Sequence, residues 1–396
     1  MNQLERRTAL AVTVVFGLRM LGLFSLMPVL SVLASDLSGA NVFLAGLSVG
    51  VYGLTQSMLQ IPMGWLSDRW GRKPVILLGL LIFAMGSIVA ALSDSIWGVV
   101  LGRALQGAGA IASALLALVT DAARPEYRTR LMAMVGASIG LAFTLAFVLG
   151  PKLGVWLGLS GLFYFSCGCA VLAALVVGFG LPVLPPVPVT PTSFSHSVKQ
   201  IVQNADLVRL DVSVFILHTL MTALFVMLPL MLTKASLGLS THTNFYLPCV
   251  LIAFLLMAPA VYWSEKRKRL KPLLNGAVLV MGLSLCVLAA AAEASWVIIA
   301  IGFTFFFTGF NIMEASLPSA VGKTAPSDLR GVAMGVFSSA QFLGAFSGGV
   351  LAGGLLELLP PQYAFYILAF VCLVWWLLVR GLRLDSLAAS PSMQAS

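Results

Sequence analysis

The sequence predicts an all-α integral membrane protein with twelve transmembrane helices arranged as two six-helix halves. Three observations lead there. Only 9% of the 396 residues are charged, where a soluble domain carries roughly a quarter, and 60% are hydrophobic. Charge this sparse cannot cover the surface of even one soluble domain of that length. The apolar residues fall in twelve continuous stretches, each close to or above the about 20 residues a helix needs to cross a bilayer. One extended proline-rich break divides these stretches six and six. A soluble enzyme is thereby excluded, as is a disordered chain, which needs low hydrophobicity. The five cysteines are odd in number and lie in apolar runs, which argues against a disulfide-stapled secreted domain. A β-barrel would alternate along shorter segments.

The first span, 8–34, follows Glu5, Arg6 and Arg7 without a small-residue cleavage site, and it is too long for a signal-peptide core. It reads as a retained helix. The second, 42–66, carries Gln56, Gln60 and Pro62; the third covers 74–92. Arg103 lies within the fourth, 96–122, while the fifth, 129–153, ends in Gly150 and Pro151, and the sixth is 158–181. From Pro182 to about Ala205 the chain contains five prolines (Pro182, Pro185, Pro186, Pro188, Pro191) and a Ser/Thr/His-rich stretch. Such a segment cannot continue a helix and reads as a linker over 182–205. His218 falls in the seventh span, 206–235, followed by 243–264 and 272–291. The tenth, 295–322, holds Asn311 and Glu314, the eleventh, 329–355, holds Gln341, and the twelfth is 361–383, leaving a short tail over 384–396.

Charge orients these spans. If both termini share one side, 19 of the 23 basic residues lie on it, among them Arg6, Arg7, Arg69, Arg72, Lys73, Arg124, Arg130, Lys199, the run from Lys266 to Lys271, Arg380 and Arg383. Only Lys152 and Lys234 lie opposite. The positive-inside rule makes the crowded side cytoplasmic. A net charge of +9 then needs no nucleic acid to explain it.

The halves, 1–181 and 206–383, also resemble each other. Pro62, Ser67, Asp68 and Arg69 correspond to Pro259, Ser264, Glu265 and Lys266 at an offset of 197, and Arg130, Ala133, Met134 and Ser138 recur as Arg330, Ala333, Met334 and Ser338 at an offset of 200. An even number of helices inserts both halves the same way up, related by an axis along the membrane normal. The binding site is expected between them, with alternating access by rocking.

The loop after the second span reads Gly64-Trp65-Leu66-Ser67-Asp68-Arg69-Trp70-Gly71-Arg72-Lys73. It resembles, at every fixed position, the G-x-L-x-D-R-x-G-R-K signature of the major facilitator superfamily. Asp68 closes its own helix, where the macrodipole disfavours a carboxylate, so it needs a positive partner. The start of the eleventh span, near Asp328, offers free backbone donors. The resemblance implies a cytoplasmic gate in which Arg72 reaches an acid at the end of the fourth helix, here Asp121. Arg103, Gln106, Gly107 and Gly109 resemble the family's R-x-x-Q-G-x-G element. Gly150-Pro151-Lys152-Leu153-Gly154 resembles part of its antiporter motif, with Ala137, Ala146 and Val155 in place of three glycines. That motif implies export. The phrases around Arg19, Pro62, Asp94 and Glu314 are similar to the YajR group of bacterial inner-membrane exporters, some of which carry a soluble domain after the last helix; none is expected here.

Inside the bilayer each charge costs several kcal/mol unless paired or wet. Arg19, Arg103, His218 and Glu314 are the ionisable residues there, with Gln56, Gln60, Asn311 and Gln341 as neutral company. Glu314 is the first candidate for a transported proton and His218 the second. Arg19 is a counterion either for an anionic substrate or for Glu314. Asp206 and Asp211, near the start of the seventh span, read as solvated. An enzyme is not expected: the three histidines are far apart and no nucleophile, H-E-x-x-H or Walker motif occurs. The expected function is proton-coupled efflux of small lipophilic or amphipathic compounds, by a monomer, with the proton gradient in place of any cofactor or metal. Uptake of a small metabolite in the same fold is the alternative.

Overall fold

The computed structural model describes residues 3–122, 124–181, 194–291, 295–326 and 329–383. The five linker prolines, Asp328 and the tail over 384–396 lie outside the described residues.

Helix α1 (Gln3–Phe24) is followed by a short α2 (Leu30–Leu33), so the first apolar run is two helical pieces and not one. Pro28 lies in the turn between them, where its missing N–H costs no helical bond. Helix α3 (Val42–Trp70) starts at Asn41, whose side chain accepts from the Leu44 amide at 2.7 Å, and it ends at Gly71. Gly71 has φ +89°, a conformation open to glycine and strained for other residues, and it turns the chain straight into α4 (Arg72–Ala91). The fourth apolar run is broken: α5 (Ile96–Ala108) and α6 (Ala112–Ala122) are separated by Gly109, Ala110 and Ile111. Backbone freed in this way within a membrane must be satisfied by protein or line a cavity.

Helix α7 (Pro125–Leu175) has 51 residues, which as one rod would exceed two bilayer thicknesses at 1.5 Å per residue. It is two helices, interrupted at Gly158 with φ 66° and ψ −169°. Eleven segments among the described residues are long and apolar enough to cross a membrane, and this one is counted once among them. Dividing it at Gly158 gives twelve crossings.

A ten-residue helix, α8 (Phe194–Gln203), occupies the end of what reads as linker. Helices α9 (Ala205–Lys234), α10 (His242–Lys266), α11 (Leu270–Ala290), α12 (Trp296–Thr324), α13 (Arg330–Leu358) and α14 (Pro361–Arg380) complete the chain. Among the described residues there is no strand, only an isolated bridge between Ser38 and Ser95.

The described chain forms two compact units. One takes everything up to Leu181 together with Thr222–Leu247 and Ala345–Glu357; the other takes the rest. The ends of α9 and α13 therefore belong to the first unit. There Phe147 packs against Phe143 and Phe225, with ring centroids 4.7 and 5.3 Å apart, and Tyr246 stands 5.1 Å from it. In the same unit α3 and α13 meet backbone to backbone: Gly46 lies against Gly349 and Gly353, and Gly50 against Phe346 and Gly349. Without a hydrophobic force between helices in lipid, small residues that permit such an approach supply the packing energy.

Candidate functional site

Three clusters of polar side chains stand out: two in the first unit and one in the second. At the α3–α4 turn, Arg72 forms an ion pair with Asp68, donates from Nη1 to Ser67 Oγ at 2.7 Å and donates from Nε to Asp121 Oδ2 at 2.9 Å. Three helices, α3, α4 and α6, are thus tied by one guanidinium fork, a geometry that a lysine cannot copy. Lys73 donates to the carbonyls of Gly178 (2.7 Å) and Leu181 (3.2 Å), and Arg7 to those of Phe179 and Gly180, both at 2.9 Å, so the end of the sixth crossing is capped by cations. Arg69 stacks over the Trp65 ring at 3.9 Å. Leu66 packs on a small core of Met63, Val75 and Ala110. A side chain at Gly64 would meet Ser113 of α6 at 3.2 Å. The close approach that this glycine permits is therefore to α6.

In the antiporter-like segment, Gly150 lies directly against the Ser25 carbonyl and Pro28, while Gly154 faces Leu33 and Leu162. Gly150, Pro151 and Gly154 are a packing surface for the first crossing.

Two arginines are buried at 1% exposure in the first unit. Arg103 is satisfied at every nitrogen: Nε donates to Ser48 O at 3.2 Å, Nη1 to Gln106 Oε1 at 2.8 Å and Nη2 to Val49 O at 3.3 Å. Gln106 passes the chain on to Ser87 Oγ at 2.7 Å. Arg19 directs only Nη2 to acceptors, namely the Gly109 carbonyl (2.6 Å), Gln56 Oε1 (3.1 Å) and Tyr52 Oη (3.3 Å). Gln56 in turn donates to Gln60 Oε1 at 2.8 Å.

In the second unit, α9, α12 and α13 bring His218, Glu314 and Gln341 together. His218 Nδ1 lies 3.2 Å from the Val214 carbonyl, which can only accept, so Nδ1 carries the proton and Nε2 accepts. The Gln341 amide donates to that Nε2 at 2.8 Å and to Glu314 Oε1 at 3.2 Å, while Glu314 Oε2 is 3.6 Å from the imidazole. His218 is buried, its side chain 8% exposed, whereas 41% of the Glu314 side chain is reachable. Phe310 closes the imidazole face at 5.8 Å. Asn311, one turn before Glu314, is buried with its Nδ2 unpartnered among the described residues.

Two features escape sequence reasoning. Glu5 looks like a flanking surface charge but is 1% exposed, accepting from the Arg124 amide at 3.2 Å and from its guanidinium at 2.8 Å. The hydrogen bond to that carboxylate holds the Arg124 guanidinium above its ordinary range. Asp206 is paired with Arg209 at 3.0 Å. Asp211, expected in solvent, is instead half-buried on α9, with no hydrogen bond or ion pair among the described residues. It stands seven residues, two turns, before His218 and shares its helix face. No group of three or more His, Cys, Asp or Glu residues able to hold a metal ion occurs among the described residues.

The Major Facilitator Superfamily model matches residues 12–349. The inner membrane transport protein YajR of Escherichia coli (strain K12) is 41% identical over 382 residues, covering 94% of this chain and 82% of that protein. The multidrug resistance protein MdtH of Yersinia enterocolitica is 27% identical over 363 residues, covering 89% of each. Among solved structures, a bacterial homologue of the human lysosomal transporter Spinster, inward-facing and occupied, superposes with a TM-score of 0.79 over 99% of this chain and 100% of that one, at 13% identity. With the helical membrane architecture and these relatives in hand, the chain belongs to the Major Facilitator Superfamily as a multi-pass membrane transporter, not an enzyme.

Proposed function

We propose that this transporter is a proton-coupled efflux antiporter for small lipophilic or amphipathic compounds, with both termini and the α3–α4 loop on the cytoplasmic side of a bacterial inner membrane. The observation that carries the proton-coupled part is the cluster in the second unit, where a reachable carboxylate, Glu314, shares the Gln341 amide with a buried imidazole, His218. An isolated ionised carboxylate inside a membrane is costly, and taking up a proton removes that cost. Glu314 can therefore alternate between a charged state held by Gln341 and a neutral state that carries a proton taken up from one face and released to the other. His218 and Gln341 hold it in place.

Efflux is supported by the likeness to MdtH, a multidrug resistance protein, and by the antiporter-like Gly150-Pro151 segment; the inner membrane is where the name of YajR places that relative. Arg72, Asp68 and Asp121 act as the cytoplasmic gate, and the six-helix halves 1–181 and 206–383 rock to give alternating access. The test is flux in right-side-out and inside-out vesicles under an imposed pH gradient. Glu314→Gln is expected to abolish gradient-driven flux while substrate binding persists. Undiminished pH-driven flux in that variant overturns the proton role, and accumulation with the gradient instead of against it overturns efflux.

A further inference from the structure

We propose that Arg19 and the helix break beside it form a binding site for a single anionic group, a carboxylate, carried by the transported compound. The clause about the compound rests on the transporter reading above; the anion site does not. Arg103 provides the internal comparison. Both guanidiniums are 1% exposed in the same unit and neither pairs with a carboxylate among the described residues. Arg103 nonetheless has all three nitrogens engaged, by two carbonyls and an amide, as a residue that only holds helices together should. Arg19 spends all its hydrogen bonds from Nη2, and its Nε and Nη1 are buried with no acceptor among the described residues. Tying α1 to the Gly109 carbonyl needs one nitrogen, so the remaining two are surplus to that task.

Burying N–H groups of a cation unpaired is among the most expensive arrangements available to a protein, and each such group calls for an acceptor. Nε and Nη1 lie on different edges of the guanidinium, and each is left to donate a single charge-assisted bond to a carboxylate oxygen. The surroundings favour the same charge. The chain breaks between α5 and α6 at Gly109 to Ile111, and α6 begins at Ala112, so the leading amides of an eleven-residue helix open close to the carbonyl that Arg19 holds. Broken membrane helices present this positive end to anionic groups. Phe83, fully buried 5.7 Å from the guanidinium, makes the surroundings of the site aromatic and apolar.

The experiment uses the full chain in nanodiscs and three ligands of one shape, phenylbutyrate, phenylbutanol and phenylbutylammonium, with binding read by titration and by thermal shift. Phenylbutyrate is expected to bind at least tenfold more tightly than the alcohol, with the ammonium weakest. Arg19→Gln should erase that margin and leave alcohol binding in place, while Arg19→Lys, which keeps the charge, should retain part of it. Should Arg19→Gln fail to fold, displacement of phenylbutyrate by sodium acetate but not by an equal concentration of a neutral osmolyte makes the same point in the unaltered protein. Acetate binding as tightly as phenylbutyrate supports the site and identifies the ligand as a free small anion. Equal binding of the three ligands, or a margin that survives in Arg19→Gln, overturns the proposal. Neither result touches the Glu314 flux test, so the two readings fail separately.

Discussion

The glycine seam between α3 and α13 makes a quantitative prediction for Gly349→Ala. A Cβ at position 349 would sit 2.5 Å from the Gly46 carbonyl oxygen and 2.8 Å from the Gly50 Cα. Carbon atoms in contact prefer about 3.5–4.0 Å, so the two backbones must separate by about 1 Å to accept one methyl group. Overpacking of this kind costs about 1–3 kcal/mol. The cost falls only on conformers in which the seam is closed, because a seam that opens during transport has no clash to relieve. At 1.4 kcal/mol per factor of ten, the ratio of open to closed seam should rise by about fivefold to about 150-fold. Spin labels at Val42→Cys and Glu357→Cys, both exposed and flanking the seam in an otherwise cysteine-free background, read that ratio as the weight of a long-distance component. Gly354→Ala is the matched control, since a Cβ there meets nothing within 4 Å. Identical distance distributions for the two alanine variants would refute the argument. A lower thermal midpoint with no change in distance would place the seam in the fold and not in the transport cycle.

The charged turn and the buried acid give two further tests. Arg72→Lys keeps the charge but loses the fork to Ser67, Asp68 and Asp121, so turnover should slow severalfold with no change in which compounds bind; normal turnover counts against the gate. Asp211→Asn should displace the pH profile of transport if Asp211 passes protons to the His218–Glu314 cluster two turns away, and an unmoved profile makes Asp211 a bystander.

Hydropathy alone was enough for the spans, because a bilayer imposes one length on every helix. It failed where geometry is not periodic. Pro28 and Gly109 each interrupt a continuous apolar run, and nothing in the run distinguishes a helix that stops for three residues from one that does not. The partners of Arg19 were illegible for the same reason: its shortest bond goes to a carbonyl that exists as a free acceptor only because α5 ends there. Arg72 and Asp121 could be paired only through the resemblance of the loop to the family signature, which implies an acid at the end of the fourth helix, and the structure brings the two together. Asp211 was misplaced because distance from a helix end says how deep a residue sits, not whether its face looks inward. Glu5 was overlooked because its partner, Arg124, is over a hundred residues away.

Helix α3 connects the charged turn and the glycine seam, and the two sets of contacts are different in kind. At its Trp70 end the contacts are ionic and partly wet, and exposed ion pairs are each worth about 0–1 kcal/mol and are screened by salt. At its Val42 end the contact is backbone on backbone, dry and insensitive to salt, but intolerant of a single methyl group. A carrier that alternates between two closures needs them nearly equal in free energy, because a difference of about 2.7 kcal/mol already holds an equilibrium at 99 to 1. In the proposed cycle a weak but adjustable set of charges is opposed to a rigid packed seam: the seam would set the reference, and Asp68, Arg72 and Asp121 would tune the balance from the other end of the same 29-residue rod.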